Sequence, residues 1–324
     1  MLHIAALVDD GIALNPLCLP SARYAPFNVK YQQAYMEEWT FANLSFGVFD
    51  GDQCLMAALI TRAESLDGSS FLNWYGLPAI VVQAPALPKN AATMFKKRFS
   101  GLLREHADCT WDFREYIEDT LSLAAVTLLE HGTTAHPVYH GYMSLADDVQ
   151  HIWAAVRKSY RPLVNRSREK LAHRVIGAQE INEENFFEFR KLHKDVAGRV
   201  TRCAASWGAQ YEQVRRGDAF LVTSRFGDDI VGASLYLLHG KCCYYGVGAY
   251  VRELFDNFPI AHGALWEAML HAKYCGCTEL ELGEIFFPSQ QNNVTPKEYS
   301  IGTFKKGFSG TVRMQQALRK MQGS

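Results

Sequence analysis

Two carboxylates stand close together in the stretch Leu280-Glu-Leu-Gly-Glu284. Glu281 is flanked by Leu280 and Leu282. If both leucines face a core, strand alternation turns Glu281 to the other side. A carboxylate partly withdrawn from water has a raised pKa and can act as a base. Glu284, at the strand end, is the alternative base, and a bound water is the third. The adjacent phenols Tyr244 and Tyr245 must point to opposite faces of their strand. One of them can protonate a leaving group while the other packs. From Arg157 to Arg174 there are seven Lys/Arg and one Glu, a local excess of +6. Arg157, Arg161 and Arg168 are expected on one helical face, with Arg166, Lys170 and Arg174 as a neighbouring row. Solvated helix faces usually mix signs, whereas a row of Arg suits phosphates. His262 and Gly263 stand near an expected helix N-terminus, where backbone N–H groups suit phosphate, although Asp256 would repel it. Trp74, Tyr75 and Gly76 sit in a loop. Such rings stack on sugar or uracil faces, and Gly lets a ligand approach the backbone. Packing of Trp74 between domains is the competing reading. A smaller basic group comprises Lys96, Lys97, Arg98 and Arg104.

Other chemistries lack their residues. No Gly-x-Ser-x-Gly motif is present, so no covalent enzyme intermediate is expected. The eight cysteines fit no disulfide framework. Cys275-Gly-Cys277, even with Cys242 and Cys243, lacks the paired spacing of a zinc site, so no metal is expected. Lys plus Arg (33) nearly equals Asp plus Glu (34), giving a net charge of -1. That balance argues against a duplex-DNA binder. No apolar run is long enough to span a membrane. Asp9 and Asp10 interrupt the apolar N-terminal stretch, which does not read as a signal peptide. Reduced thiols and a cytoplasmic location are the expectation.

The 324 residues, 48% hydrophobic and 21% charged, suit two globular domains. Strands are expected at 44–49 and 54–61, around Asp50-Gly51-Asp52, a strong hairpin signal. Further strands follow at 79–83, 109–114 and 136–145, with helices at 29–39, 90–106 and 116–131. Asp147 and Asp148 cap a helix at 148–172, which Pro162 should kink or split. A strand at 173–180 and helices at 183–198 and 205–216 lead to a meander at 219–226, 230–238 and 242–250. A helix at 260–275, a strand at 278–283, a polar loop at 288–298, a short strand near 308–314 and a basic tail complete the chain. Both halves share an order: a hairpin turning on Gly and Asp, further strands, a helix, then a strand. The fold class is mixed α/β, an internal duplication with domains 1–145 and 146–324.

Four stretches resemble the FemAB family, acyltransferases with two tandem GNAT-like domains that include aminoacyl-tRNA-dependent peptidyltransferases and glycan-biosynthesis relatives. These are the basic segment 151–174, the helix–strand segment from Pro259-Ile-Ala-His-Gly-Ala-Leu-Trp-Glu-Ala268 to Glu284, Ile301-Gly-Thr-Phe-Lys-Lys-Gly-Phe-Ser-Gly310 and Trp74-Tyr-Gly-Leu-Pro78. The third is similar to a Phe-Lys-x-Gly-Phe-Gly signature, with Ser309 interrupting its end. The resemblance implies two GNAT-like domains, each a mostly antiparallel sheet flanked by helices. It implies direct attack of an amine on an activated acyl ester or thioester. Lys305, at the family's Lys, would stabilise the oxyanion. Glu281 or Glu284 would be the base, and Tyr245 a proton donor. Arg157, Arg161, Arg166, Arg168, His262 and Gly263 would hold the donor. Trp74, Tyr75 and Gly76 would line the acceptor cleft. No permanently bound cofactor is implied. The co-substrate is aminoacyl-tRNA or acyl-CoA, making tRNA an expected partner. The phosphate loop of acyl-CoA-using GNAT proteins is missing from 250–263, which favours aminoacyl-tRNA. The acceptor is an amine on a cell-envelope, glycan or small-metabolite precursor. Alternatives are an acyl-CoA-dependent N-acyltransferase on a nucleotide-linked amino sugar, and a non-catalytic GNAT-like module binding RNA or protein.

Overall fold

The computed structural model describes residues 1–7, 14, 17–117 and 119–321. Asp9 and Asp10, used above against a signal peptide, lie outside them. In chain order the first elements are β1 (Leu2–Ala6), α1 (Pro26–Tyr35), β2 (Thr40–Asn43), β3 (Phe46–Asp50), β4 (Gln53–Leu59), β5 (Thr61–Glu64), β6 (Ser70–Asn73) and β7 (Ile80–Gln83). Then come α2 (Lys89–Glu105), β8 (Thr110–Tyr116), α3 (Leu123–Glu130), β9 (Thr134–Ser144), α4 (Val149–Ala155) and α5 (Arg161–Lys170). Next are β10 (Ala172–Ile176), α6 (Glu183–Ala197), α7 (Ala204–Arg216), β11 (Ala219–Phe226), β12 (Asp229–His239) and β13 (Cys242–Tyr250). The last are α8 (Ile260–Tyr274), β14 (Glu279–Ile285), α9 (Pro296–Phe308) and β15 (Thr311–Lys320).

Two compact units result, but a single cut at 145 does not separate them. Unit 1 comprises 1–20, 28–138 and 314–324, and unit 2 comprises 21–27 and 139–313. The cause is an exchange of final strands. Residues 139–144 of β9 pair antiparallel with β14, whereas 315–320 of β15 pair antiparallel with β8. Each half of the sequence therefore supplies the closing strand of the other unit.

In unit 1, β1, β3, β4 and β7 form one antiparallel sheet. Its β3–β4 hairpin turns where expected, with Gly51 at φ 56°, a left-handed position that Gly takes without a Cβ penalty. Phe46, Phe95, Phe99, Trp111 and Phe113 build its core. In unit 2 the strand order is β10-β11-β12-β13-β14-β9. All neighbours there are antiparallel except β13 and β14. Leu280, Leu282, Trp266, Met269 and Phe308 pack one face of this sheet, and Phe189, Leu221, Leu235 and Val247 the other.

One expectation is met in its second form and one changes. The helix at 148–172 is split in two, with Pro162 in the first turn of α5 and Val156 leaving the helical region at ψ 134°. The polar loop and short strand near its end become the helix α9 followed by the ten-residue β15. Thr295 and Glu298 form a capping box, with Pro296 in the first turn of α9. Gly302 and Gly307 weaken the helical signal but permit its packing. An added Cβ on Gly302 would lie 3.0 Å from the Phe286 backbone N, and one on Gly307 2.0 Å from the Tyr160 ring.

Candidate active site

The parallel pair β13–β14 is short. Cys242 pairs with Glu279, Cys243 with Leu280 and Tyr244 with Glu281, and there the pairing ends. Both strands carry an extra residue just beyond. Gly246 is bulged between the pairs Tyr236–Tyr245 and Leu235–Val247, and Leu282 between the pairs Glu281–Tyr142 and Gly283–Gly141. Bulges bend a strand and re-aim its side chains. The sheet of unit 2 therefore opens at Tyr244 and Glu281.

Titratable side chains gather at this opening. Leu280 and Leu282 are in the core, and Glu281 faces the other way, as alternation requires. Glu281 is 2% exposed, and its Oε1 lies 2.8 Å from Nδ1 of the equally buried His140. Its Oε2 is buried and, among the described residues, lacks a hydrogen-bond partner. Burial alone would raise its pKa and is the largest influence. The His140 hydrogen bond and charge, joined by the Arg23 cation, outweigh it and leave the pKa below the ordinary value. The expected raised pKa is thus corrected: Glu281 is an anion at neutral pH. An ionised carboxylate only accepts hydrogen bonds, so His140 Nδ1 carries the proton of this contact.

Lys305 comes from the last turn of α9. Its Nζ rests against Gly283, where an added Cβ would lie 3.2 Å from Nζ and 3.8 Å from the Tyr244 hydroxyl. Gly283 has φ 81°, which an L side chain resists. Nζ is also 5.9 Å from the Tyr245 ring centroid. Burial draws the Lys305 pKa down to about 8. Arg23 acts in the same direction, while Glu281 and Glu284 oppose it. At neutral pH Lys305 remains mostly a cation, within Coulomb reach of both carboxylates. Glu284 is exposed and stands opposite His140 in the strand register.

Tyr244 and Tyr245 point to opposite faces as expected, each packing against a different core cluster. Burial raises the Tyr245 pKa well above the ordinary value, with Tyr250 adding to the effect. Tyr245 is therefore a neutral phenol, able to give a proton and unable to act as a base. Its hydroxyl is 3.5 Å from that of Tyr250.

His140 and Arg23 are the two site residues that the sequence reading missed. His140 had one usable signal, a polar residue amid the apolar strand residues that end at Met143. Arg23 had none, because its membership in unit 2 depends on residues 21–27 leaving their neighbours in sequence. Its guanidinium sits 5.4 Å from the Tyr244 ring centroid.

The expected donor residues do not form one face. Arg157 lies between the helices, 5.1 Å from the Tyr160 ring centroid. Arg161 donates to the carbonyls of Val156 and Ala154, closing the end of α4. Arg166 donates to the Asn257 carbonyl, and Arg168 pairs with Glu267 at 2.8 Å. Arg174 is on β10, not on the helix. The proline break explains the difference, since it resets the helical phase. His262 sits among the rings of Tyr160, Phe304 and Phe308. Its backbone N–H is already given to the Pro259 carbonyl. Gly263 packs against Ser167 and His173, where a Cβ would fall 2.5 Å and 2.3 Å from their polar atoms. The phosphate cradle expected at His262 and Gly263 is thus filled by the protein itself.

The acceptor assignment is also corrected. Trp74 and Tyr75 are each 1% exposed, and Tyr75 packs on Trp74 and Phe41. Both rings are taken up by packing, with little surface left for a ligand. Gly76 alone of the three is exposed. Among the described residues, one group has metal-ligand atoms together: His106, Asp108 and Cys109, within 4.8 Å of one another. The Arg62 cation acts on the same His106 and Cys109 and opposes a metal there. Cys242, Cys243, Cys275 and Cys277 are free thiols.

The fold has solved counterparts. FemX superposes with a TM-score of 0.70 over 97% of this chain and 96% of that one, at 10% identity. L-PGS from Bacillus licheniformis gives 0.57 over 96% and 90%, at 11% identity. A tandem GNAT protein from the clavulanic acid biosynthesis pathway gives 0.51 over 98% and 97%, at 12% identity. The chain therefore has the tandem GNAT-like fold of FemX. No family model matches it. A pentatricopeptide repeat-containing protein of Arabidopsis thaliana is 32% identical over 109 residues, and that match spans 24% of its length. Such repeats are helical, whereas the matched protein here is built on sheets.

Proposed function

We propose that this protein is an acyltransferase, moving an acyl group from an activated carrier to an amine at the opening between β13 and β14. The observation that carries the reading is Lys305 Nζ against Gly283, where the strands part, within Coulomb reach of the His140-bound Glu281. The Lys305 ammonium would stabilise the oxyanion formed when the amine attacks the acyl carbonyl. The ionised Glu281 would accept the proton lost by the amine, directly or through a water. Tyr244 or Tyr245 would protonate the leaving oxygen or sulfur. The fold shared with FemX supports the reaction class.

We favour aminoacyl-tRNA over acyl-CoA as donor. At the start of α8, the amides of Ile260 and His262 are engaged by Phe258 and Pro259 carbonyls, leaving neither for a pyrophosphate. The acceptor would be an amine on a cell-envelope, glycan or small-metabolite precursor. The test is donor consumption from charged tRNA and from acetyl-CoA, with and without a mixture of amines. Amine-dependent loss of the aminoacyl ester is expected. Lys305→Met should slow it about 100-fold or more, the usual effect of removing an oxyanion donor. Consumption unchanged in Lys305→Met would refute the reading, and turnover of acetyl-CoA alone would refute the donor.

A further inference from the structure

A phenol buried like that of Tyr245 is a poor acid, because its anion would lie in a medium of low polarity. Three other hydroxyls are arranged around it. Tyr236 and Tyr245 are register partners on β12 and β13, and their rings stack at 5.2 Å. The extra residue Gly246 shifts the alternation of β13. Val247 and Ala249 therefore enter the other core cluster, while Tyr250 joins Tyr245 on one face. The Tyr245 and Tyr250 hydroxyls meet there at 3.5 Å. Two glycines make this room. A Cβ on Gly248 would fall 2.1 Å from the Tyr245 hydroxyl, and one on Gly232, the strand partner of Tyr250, 2.7 Å from the Tyr250 ring. Ser234 and Tyr236 are fully buried, and among the described residues neither hydroxyl has a hydrogen-bond partner. Both are still near enough to act on Tyr250: burial raises its pKa, and the hydroxyls of Ser234, Tyr245 and Tyr236 oppose that rise. Buried polar groups are normally paired, so two idle hydroxyls beside a pair of phenols point to a charge that arises there only during reaction.

We propose that Tyr250, Tyr236 and Ser234 are positioning residues that take up the negative charge left on the Tyr245 oxygen when Tyr245 protonates the leaving group. The inference rests on the acyl-transfer reading, and it selects Tyr245 over Tyr244 as the acid. Tyr244 shares the face of Glu281, whereas Tyr245 lies on the opposite face, its ring centroid 5.9 Å from Lys305 Nζ. A base for the entering amine and an acid for the departing group serve best from opposite sides of the acyl carbon. As the bond from that carbon to the leaving oxygen or sulfur breaks, the leaving atom takes the Tyr245 proton. The phenolate that remains accepts hydrogen bonds from Tyr250 and Tyr236, and Ser234 supports Tyr250. Glu281 releases the proton of the amine to solvent and Tyr245 regains one from solvent, so no further reactant is needed. A hydrogen bond to a charged oxygen is about twice as strong as one between neutral groups. The network is therefore weak before the step and strong during it, as catalysis requires.

The first measurement is independent of turnover. With Tyr245→3-chlorotyrosine in the full chain, the phenolate at that position is titrated by its absorbance. Tyr250→Phe should raise its pKa by about one to two pH units, the effect of losing one hydrogen bond to a charged group. Tyr236→Phe should raise it by less. A merely structural role for these rings predicts no change, since Phe keeps their packing. The second measurement is a double-mutant cycle on amine-dependent loss of the aminoacyl ester from charged tRNA. Tyr250→Phe should slow it about tenfold or more, yet have almost no further effect in Tyr245→Phe. An unmoved titration, or equal slowing by Tyr250→Phe with and without the Tyr245 hydroxyl, would overturn the inference even if transfer depends on Lys305. A shifted titration with consumption unchanged in Lys305→Met would instead refute the acyl-transfer reading and leave the coupling of the phenols standing.

Discussion

Replacing Lys305 by Met should stabilise unit 2 while slowing transfer about 100-fold or more. Burial holds the folded-state pKa of Lys305 at about 8, against 10.5 in the unfolded chain. At about 1.4 kcal/mol per pH unit, the buried ammonium costs at most about 3 kcal/mol. The side chain keeps part of its water contact, so about 1–3 kcal/mol is the working range. Met has a similar length and no charge, and it fills irregular apolar space well. The sign follows from proton counting. Below pH 8 both states are protonated, and the whole cost falls on the folded state. Between pH 8 and 10.5 the unfolded chain binds more protons, so the stability of the unaltered protein rises with pH. Above 10.5 the cost is gone. The advantage of Lys305→Met should therefore be full at pH 7 and fade as pH climbs from 8 to 10.5. Calorimetry at pH 7 should show the variant melting about 2–6 °C higher. A variant that melts lower, or a gap that stays constant from pH 7 to 10, would refute the claim that this ammonium is desolvated.

Glu281→Gln removes a charge that raises the Lys305 pKa, so the alkaline fall in transfer rate should begin at a lower pH than in the unaltered protein; an unmoved pH profile would uncouple the two residues. Gly307→Ala should destabilise by about 1–3 kcal/mol despite Ala's better helix propensity, because its Cβ would meet the Tyr160 ring; a denaturation midpoint equal to or above that of the parent would contradict the close helix contact. His173 and His262 are both drawn to about 4 by burial. Each binds its proton more weakly in the folded state, so their stability contribution is whole above pH 6.5 and is lost as pH falls toward 4. His262→Phe should shrink the stability difference between pH 7 and pH 5 by about 1–2 kcal/mol, since among the described residues His262 Nε2 has no partner to lose; an equal difference in the variant would show that this ring does not charge on unfolding.

Much of the local structure was legible because hairpins and capped helices depend on near neighbours. Asp50-Gly51-Asp52, the meander turns and the alternation around Glu281 are all short-range signals, and the elements stand where these put them. The helix α9 was hidden by Gly302 and Gly307, residues that read as breakers and act as contact points for Phe286 and Tyr160. The exchange of β9 and β15 was illegible for a different reason. Which strand closes which sheet depends on pairings across more than 100 residues, and no local pattern encodes them. Burial was the third blind spot. Trp74 and Tyr75 sit in a stretch that reads as an exposed loop, yet Tyr75 at φ 48° packs its ring against Phe41 and Trp74. The resemblance carried Lys305, but the sign of the Glu281 pKa shift required His140 and Arg23, which only the folded chain brings near.

Three backbone irregularities act together to make the opening usable. Without the bulge at Leu282, β14 would keep its alternation past Glu281 and present a side chain where Gly283 now stands. Without Gly at 283, a Cβ would crowd Lys305 Nζ at 3.2 Å. Without the glycines of α9, the helix could not lie against Phe286 and Tyr160, and Lys305 would be held away from the strand. Each feature weakens regular structure by itself, since Gly in a helix or strand and an interrupted ladder are both unfavourable. Their common result is one ammonium at the place where the pairing of β13 with β14 ends. The surrounding structure, with core clusters on both faces, is stable enough to carry that loss. Local departures from regular structure that converge on one buried charge are the pattern expected at functional sites.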